Sequence, residues 1–178
     1  MLKYINKDLL LAFESNEIDI CMQISNCEGL SYFAGIAKAI HNKFERLTEA
    51  HIEVCKKDDV FGTPLFFSIN GRKTIINLYS QFYRGKPSER KLYFGKVNKL
   101  DNFQTRCEAL KSSLELVKEK YEKFLKGVKF GLPLLSSGLA ADPLLKAGKN
   151  DLNYFKKYIA HIVEDVFDDS WDVTVYYL

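Results

Sequence analysis

Two stretches of this sequence combine small side chains with bare main chain in a way that could hold an anion. The first is Asn26-Cys-Glu-Gly29 followed by Ala34-Gly-Ile-Ala37, directly after an apolar run. The second, Ser136-Ser-Gly-Leu-Ala140, follows another apolar run. Phosphate oxygens are held by main-chain N–H groups that no Cβ obstructs, above all where a loop enters a helix N-terminus. Small residues at such a handover also suit close packing of a helix on a sheet, so the loops by themselves leave both uses open. Two carboxylates bear on the same chemistry. Asp8 can accept a hydrogen bond, from a ligand or as a helix or turn cap. Asp142 is the one carboxylate near the second loop and could serve as a base or stay a surface acid.

Other chemistries find less support. The dinucleotide fingerprint G-x-G-x-x-G is absent from both loops. Gly71-Arg-Lys-Thr74 has the look of a P-loop ending, but Phe66 occupies the earlier glycine position and the segment reads as a hairpin. Cys21, Cys27, Cys55 and Cys107 share no metal or redox spacing. Cys21 reads as a small core residue, while Cys27 lies in the first candidate loop. His41, His51 and His161 stand far apart with no neighbouring ligand set and read as surface or partly buried residues. No metal and no cofactor is expected.

At 178 residues, 47% hydrophobic and 28% charged, the chain suits one soluble domain, residues 1–178, with a single core. It has no apolar run of about 18 residues and no signal-peptide core near its start, so it reads as cytoplasmic with no membrane partner. The net charge of +3 is mild and the lysines are scattered, densest over residues 118–129 among glutamates. That pattern reads as a solvated helix face, and no nucleic-acid partner is expected.

The elements that must position the loops follow from periodicity. Tyr4-Ile5 reads as a short strand and residues 9–13 as a turn. Residues 18–25 form a nearly continuous apolar strand, as in a sheet covered on both faces. Residues 30–47 carry Phe33, Ile36, Ala37, Ile40 and Phe44 at helical spacing. Runs 60–69 and 73–80 flank Asn70-Gly71 as a hairpin, and 83–99 reads as a polar connection. A helix capped by Asp101 or Asn102 follows, with the stripe Phe103, Cys107, Leu110, Leu114, Val117, Tyr121 and Phe124. A strand over 128–135, a helix over 152–166 and a strand over 173–177 close the chain. Alternating strands and helices predict a three-layer α/β/α sandwich with a mixed, mostly parallel sheet. Such sheets bind ligands at the carboxyl ends of their strands, where both loops fall.

Taken in order, the strand ending at Asn26, the Ala34-Gly-Ile-Ala37 helix start, Ile75-Ile-Asn-Leu-Tyr-Ser-Gln81 and Gly131-Leu-Pro-Leu-Leu-Ser-Ser-Gly-Leu139 resemble the macro domain, the ADP-ribose-binding fold. The resemblance spans nearly the whole chain and leans toward the branch of the terminal ADP-ribose protein glycohydrolase and ADP-ribose 1''-phosphatase; the closing Asp-Val-Thr-Val-Tyr-Tyr-Leu is similar to that glycohydrolase's last strand. It implies that Asp8, with Leu9 beside it, reads the adenine amino group. Gly35, Ile36 and Ala37 would set amides against the diphosphate. Ser136, Ser137, Gly138, Leu139 and Ala140 would wrap its other side and the distal ribose. Asn26 would address the distal ribose hydroxyls and Tyr176 would lie against adenine. ADP-ribose, or an ADP-ribosylated protein, is the implied partner.

The chain departs from that pattern in two places. The first loop is about one residue longer than usual, and Tyr32 and Phe33 replace a methionine and a glycine. The glycohydrolase's lysine is missing, with Tyr79-Ser80-Gln81 in its region, and Ala140 stands where its aspartate follows the Gly-Leu. A covalent lysine mechanism is thereby disfavoured. Three readings remain: a hydrolase acting at the distal ribose, on an ADP-ribosyl ester or ADP-ribose 1''-phosphate, with Asp142 as base and Asn26 positioning the substrate; a module that binds ADP-ribose or a related nucleotide without turnover; and an interaction domain whose loops only pack.

Overall fold

The computed structural model describes residues 2–29, 35–57, 60–81, 91–94, 97–124, 127–135 and 152–178, with 91–94, 97–100 and 124 described in their backbone alone. The chain runs β1 (Lys3–Asn6), α1 (Leu9–Glu14), β2 (Ile20–Asn26), α2 (Gly35–Lys43), α3 (Glu45–Cys55), β3 (Pro64–Ser68), β4 (Thr74–Gln81), β5 (Lys91–Phe94), β6 (Val97–Leu100), α4 (Phe103–Tyr121), β7 (Lys129–Pro133), α5 (Leu152–Tyr158), α6 (Ala160–Val166) and β8 (Asp172–Tyr177). Six strands form one sheet in the order β1-β8-β7-β2-β4-β3, parallel except for β3. This is the mixed, mostly parallel α/β sandwich that the alternation predicts.

The alternation of side chains along each strand sorts the core into two layers. On one face Ile20, Met22, Ile76, Leu78, Phe130, Leu132, Val173 and Val175 meet Leu110, Leu114 and Val117 of α4 and the apolar side of α5 and α6. Each fully buried side chain of this kind contributes about 1.5–3 kcal/mol. On the other face Cys21, Ile75 and Tyr176 pack against Leu9, Ala12, Phe13, Ile40 and Leu47. Asn102 rather than Asp101 caps α4, in a reciprocal capping box with Thr105.

Asp101 serves a different purpose. It is fully buried and grips the equally buried guanidinium of Arg106 through two bonds, Nε to Oδ1 at 2.6 Å and a terminal nitrogen to Oδ2 at 2.7 Å. The forked geometry compensates the desolvation of both charges.

Several elements differ from expectation, each for a packing reason. Residues 9–13 form a helix, not a turn: Leu9, Ala12 and Phe13 share the buried face, while Leu11 points outward at 57% exposure. Six residues are too few for an isolated helix, and both ends are tied. Asp8 caps the start, accepting from the Leu11 amide at 2.9 Å. The Lys73 ammonium donates to the carbonyls of Phe13 and of Glu14, the latter at 3.1 Å, and sits 5.0 Å from the Phe13 ring centre.

The helix expected over 30–47 breaks at Phe44, whose backbone leaves helical geometry (φ −120°, ψ 73°) as its ring packs edge-on against Phe13. The last helix divides at the fully buried Ile159. Within 83–99, β5 and β6 pair antiparallel where a plain connection was expected.

Gly131 sets how closely α1 approaches the sheet. A Cβ there would stand 2.3 Å from Ile18 Cδ1, 2.9 Å from Leu9 Cδ1 and 3.2 Å from Tyr176 Cε2. Gly131→Ala should therefore destabilise by about 2 kcal/mol, lowering Tm by about 6 °C. Gly71→Ala, where a Cβ meets nothing within 4 Å, should leave Tm within about 2 °C in the same circular-dichroism melts.

Candidate functional site

The carboxyl edge of the sheet gathers Asn26 at the end of β2, Gln81 at the end of β4 and the loop that begins at Asn26. Ser25 pairs with Tyr79, yet Asn26 pairs with Gln81, so a bulge re-aims the strand end. The Cys27 amide donates to the Gln81 carbonyl at 2.9 Å, and Asn26 Oδ1 accepts from the Glu28 amide at 3.0 Å. That turn holds the Asn26 carboxamide and leaves its Nδ2 as a donor with no bond to another described residue.

The two glycines of the first candidate site have different causes. Gly29 (φ 65°) lies against α3, where a Cβ would stand 3.0 Å from Cys55 Cβ, so close packing explains it. Gly35 (φ 55°) opens α2 with nothing within 4 Å of where its Cβ would be. It is exposed, and Ile36 and Ala37 behind it are half-buried. The first amides of α2 have no partner within the helix and carry its positive end. Among the described residues nothing fills the space at this helix start, and a positive helix end of that kind can accept an anion.

The remaining expected residues fall as follows. Asp8 stands at the head of α1, one carboxylate oxygen used for the cap and the other making no hydrogen bond to a described residue. Leu9 is buried over Gly131, so its side chain belongs to the core. Tyr176 is likewise buried, beside Leu9 and Phe13, and burial raises its phenol pKa. Ser136, Ser137, Gly138, Leu139, Ala140, Asp142, Tyr32 and Phe33 lie outside the described residues.

Beneath Asn26 the sheet carries a polar layer that sequence reading missed. Gln23 and Asn77 face each other across β2 and β4, bonded Nε2 to Oδ1 at 2.7 Å with both side chains buried. Tyr79 bonds to His51 Nδ1 at 3.0 Å and stacks on the ring. His41 meets Thr48 at 2.9 Å and lies edge-on to His51, ring centres 5.7 Å apart. Cys55 Sγ lies 3.8 Å from the Asn26 carbonyl, as its donor. His41 and His51 are thus buried neighbours, not surface residues, while His161 is exposed. The available signal was Gln23 and Ser25 alternating within an otherwise apolar strand. Burial pushes the Tyr79 phenol and the Cys55 thiol up, so neither ionises near neutrality. No group of three or more potential metal ligands occurs among the described residues.

No protein-family profile matches the sequence, and no curated protein does. Solved structures do. The chain is similar to a protein of unknown function from Bacteroides thetaiotaomicron, at 19% identity and TM-score 0.70 over 100% of this chain and 98% of that one. It is similar to the macrodomain of Mycobacterium tuberculosis DarG at 19% identity and TM-score 0.65, over 99% and 97%. Thermosipho africanus DarTG, solved in complex with ADP-ribose, matches at 14% identity and TM-score 0.62, over 98% of this chain and 41% of that one. The protein has the macro-domain fold.

The buried histidines make stability depend on pH. Burial lowers His41 to about 3, with the neighbouring His51 adding to the shift, and lowers His51 to about 4. Both are neutral in the fold, so the unfolded chain takes up their protons first as pH falls below its own value of about 6.5. Stability should be complete above about pH 6.5 and decline toward about pH 3, by about 4 kcal/mol at pH 5 in urea titrations. His51→Gln should flatten that decline by about one proton's worth, some 1.4 kcal/mol per pH unit.

Proposed function

We propose that this protein, on its macro-domain fold, binds ADP-ribose or a molecule that carries it at the carboxyl edge of the sheet. The observation that carries the reading is the entry to α2. There the positive-φ Gly35 opens α2 with no described residue within 4 Å of where its Cβ would stand, and the first amides of the helix have no partner within it. A diphosphate is the ligand group that such a helix start accommodates. The second oxygen of Asp8 suits an adenine amino group, and the Asn26 carboxamide suits the hydroxyls of the distal ribose. The likeness to DarTG, solved with ADP-ribose, supports the same ligand.

Turnover at the distal ribose is the finer part of the proposal. Asn26 would hold the sugar while Asp142 activates water against an ADP-ribosyl ester or ADP-ribose 1''-phosphate. Ser136, Ser137, Gly138, Leu139 and Ala140 would close over the diphosphate from the other side.

ADP-ribose at about 100 times its Kd should add about 2.7 kcal/mol, raising Tm by about 8 °C. Asp8→Ser, which keeps a side-chain cap for α1 but removes the carboxylate, should weaken binding about tenfold. An unchanged Tm with ADP-ribose would refute the binding reading. Phosphate or ADP-ribose release that Asp142→Ala abolishes would support turnover; release unaffected by that substitution would remove Asp142 from it.

A further inference from the structure

The sheet supports the Asn26 end of β2 from one side. β7 is in register with β2 at Ile20 and Cys21 and at no later position among the described residues, so beyond Cys21 the strand leans on β4. The bulge after Ser25 then interrupts the regular ladder with β4 as well. What holds the turn over residues 26–29 comes from outside the sheet, from the end of α3.

His51 and Cys55 stand four residues apart in α3 and so share one face of it. Cys55 meets both ends of the turn. Its Sγ lies 3.8 Å from the Asn26 carbonyl, as its donor, and a Cβ on Gly29 would stand 3.0 Å from Cys55 Cβ. Burial raises the thiol's pKa, and hydrogen bonds from the Gly29 amide and the Tyr79 hydroxyl to sulfur partly offset it. Tyr79 has one hydroxyl hydrogen to give. With that hydrogen directed at Cys55, the 3.0 Å contact between the phenol oxygen and His51 Nδ1 assigns the imidazole hydrogen to Nδ1. The donors then run one way, from His51 to Tyr79, from Tyr79 to Cys55, and from Cys55 to Asn26. His51 is itself seated: it stacks on Tyr79 with ring centres 5.6 Å apart and lies edge-on to His41, which meets Thr48.

We propose that Cys55, backed by Tyr79 and His51, is a positioning residue that holds the 26–29 turn so that Asn26 distinguishes a ligand with a distal ribose from one that ends at the diphosphate. The inference rests on the ADP-ribose reading and deepens it. Asn26 Oδ1 is occupied by the Glu28 amide, so the direction of its Nδ2 follows the turn. A donor aimed in advance loses less conformational freedom on binding than one that must be ordered by the ligand. The groups assigned to adenine and diphosphate, Asp8 and the start of α2, stand outside this chain of bonds, so its loss falls on the distal ribose.

Isothermal titration calorimetry with ADP-ribose and with ADP, which has the same base and diphosphate but no distal ribose, tests it. The unaltered protein should prefer ADP-ribose by at least about tenfold. Cys55→Ala should weaken ADP-ribose about fivefold and ADP by less than about twofold. Cys55→Ser, which keeps a donor and an acceptor, should recover most of that loss. Tyr79→Phe, which keeps the ring without its hydroxyl, should weaken ADP-ribose about threefold and leave ADP unchanged. Without any ligand, the Glu28 amide should exchange its hydrogen faster in Cys55→Ala, read by NMR. Equal losses for the two nucleotides, no loss, or unchanged exchange at Glu28 would overturn the proposal and leave the ADP-ribose reading standing. An unaltered protein that binds ADP as tightly as ADP-ribose would also overturn it. Failure to bind ADP-ribose at all would overturn the underlying reading and this proposal with it.

Discussion

One missing methyl group shapes the packing of the first helix on the sheet. Leu9, Ile18 and Tyr176 converge on the space above Gly131 in the middle of the sheet, and a Cβ there would require the ends of the Leu9 and Ile18 side chains to move. That helix is too short to persist alone. Its position comes from the seat on Gly131, the Asp8 cap at one end and Lys73 reaching from the β3–β4 loop to the other. Asp8 is therefore where it is because a glycine lies beneath the residue that follows it. Packing, capping and the direction of one carboxylate form a single chain of causes.

The same economy of small residues has two distinct uses around Asn26. Gly29 permits backbone to lie against Cys55, whereas no described residue comes within 4 Å of where a Cβ on Gly35 would stand. The layer below them is more polar than a sheet core usually is, with Gln23, Asn77, Tyr79, His41 and His51 all buried. Desolvation keeps both imidazoles neutral, so neither histidine adds a positive charge beneath Asn26.

Much of the architecture was legible in advance because its elements are long and periodic. The α4 stripe and the continuous apolar run of β2 each allow one assignment, and their order gave the mixed, mostly parallel sheet. What escaped detection depends on partners distant in sequence. Residues 9–13 are too few to display a helical period, and their helicity is decided by Gly131 and Lys73. Phe44 breaks a helix because Phe13 offers its ring a place to pack. His41 and His51, ten positions apart, look unrelated until two successive helices place them side by side. In the site, residue types at Asp8, Asn26 and Gly35 were readable, but which oxygen is occupied by a cap, or which glycine faces open space, is a property of the folded chain.

The Gln23–Asn77 pair also acts as an alignment key. Their carboxamides meet only because the two parallel strands are set with these positions opposite each other. Sliding β4 by one place would turn Asn77 toward the hydrophobic layer beneath α4 and strand both amides in an environment that cannot solvate them. Hydrophobic neighbours such as Ile75 and Leu78 could exchange partners with little penalty, whereas this couple cannot. Two polar side chains thus confer on the central strands a uniqueness of pairing that aliphatic residues alone would not impose.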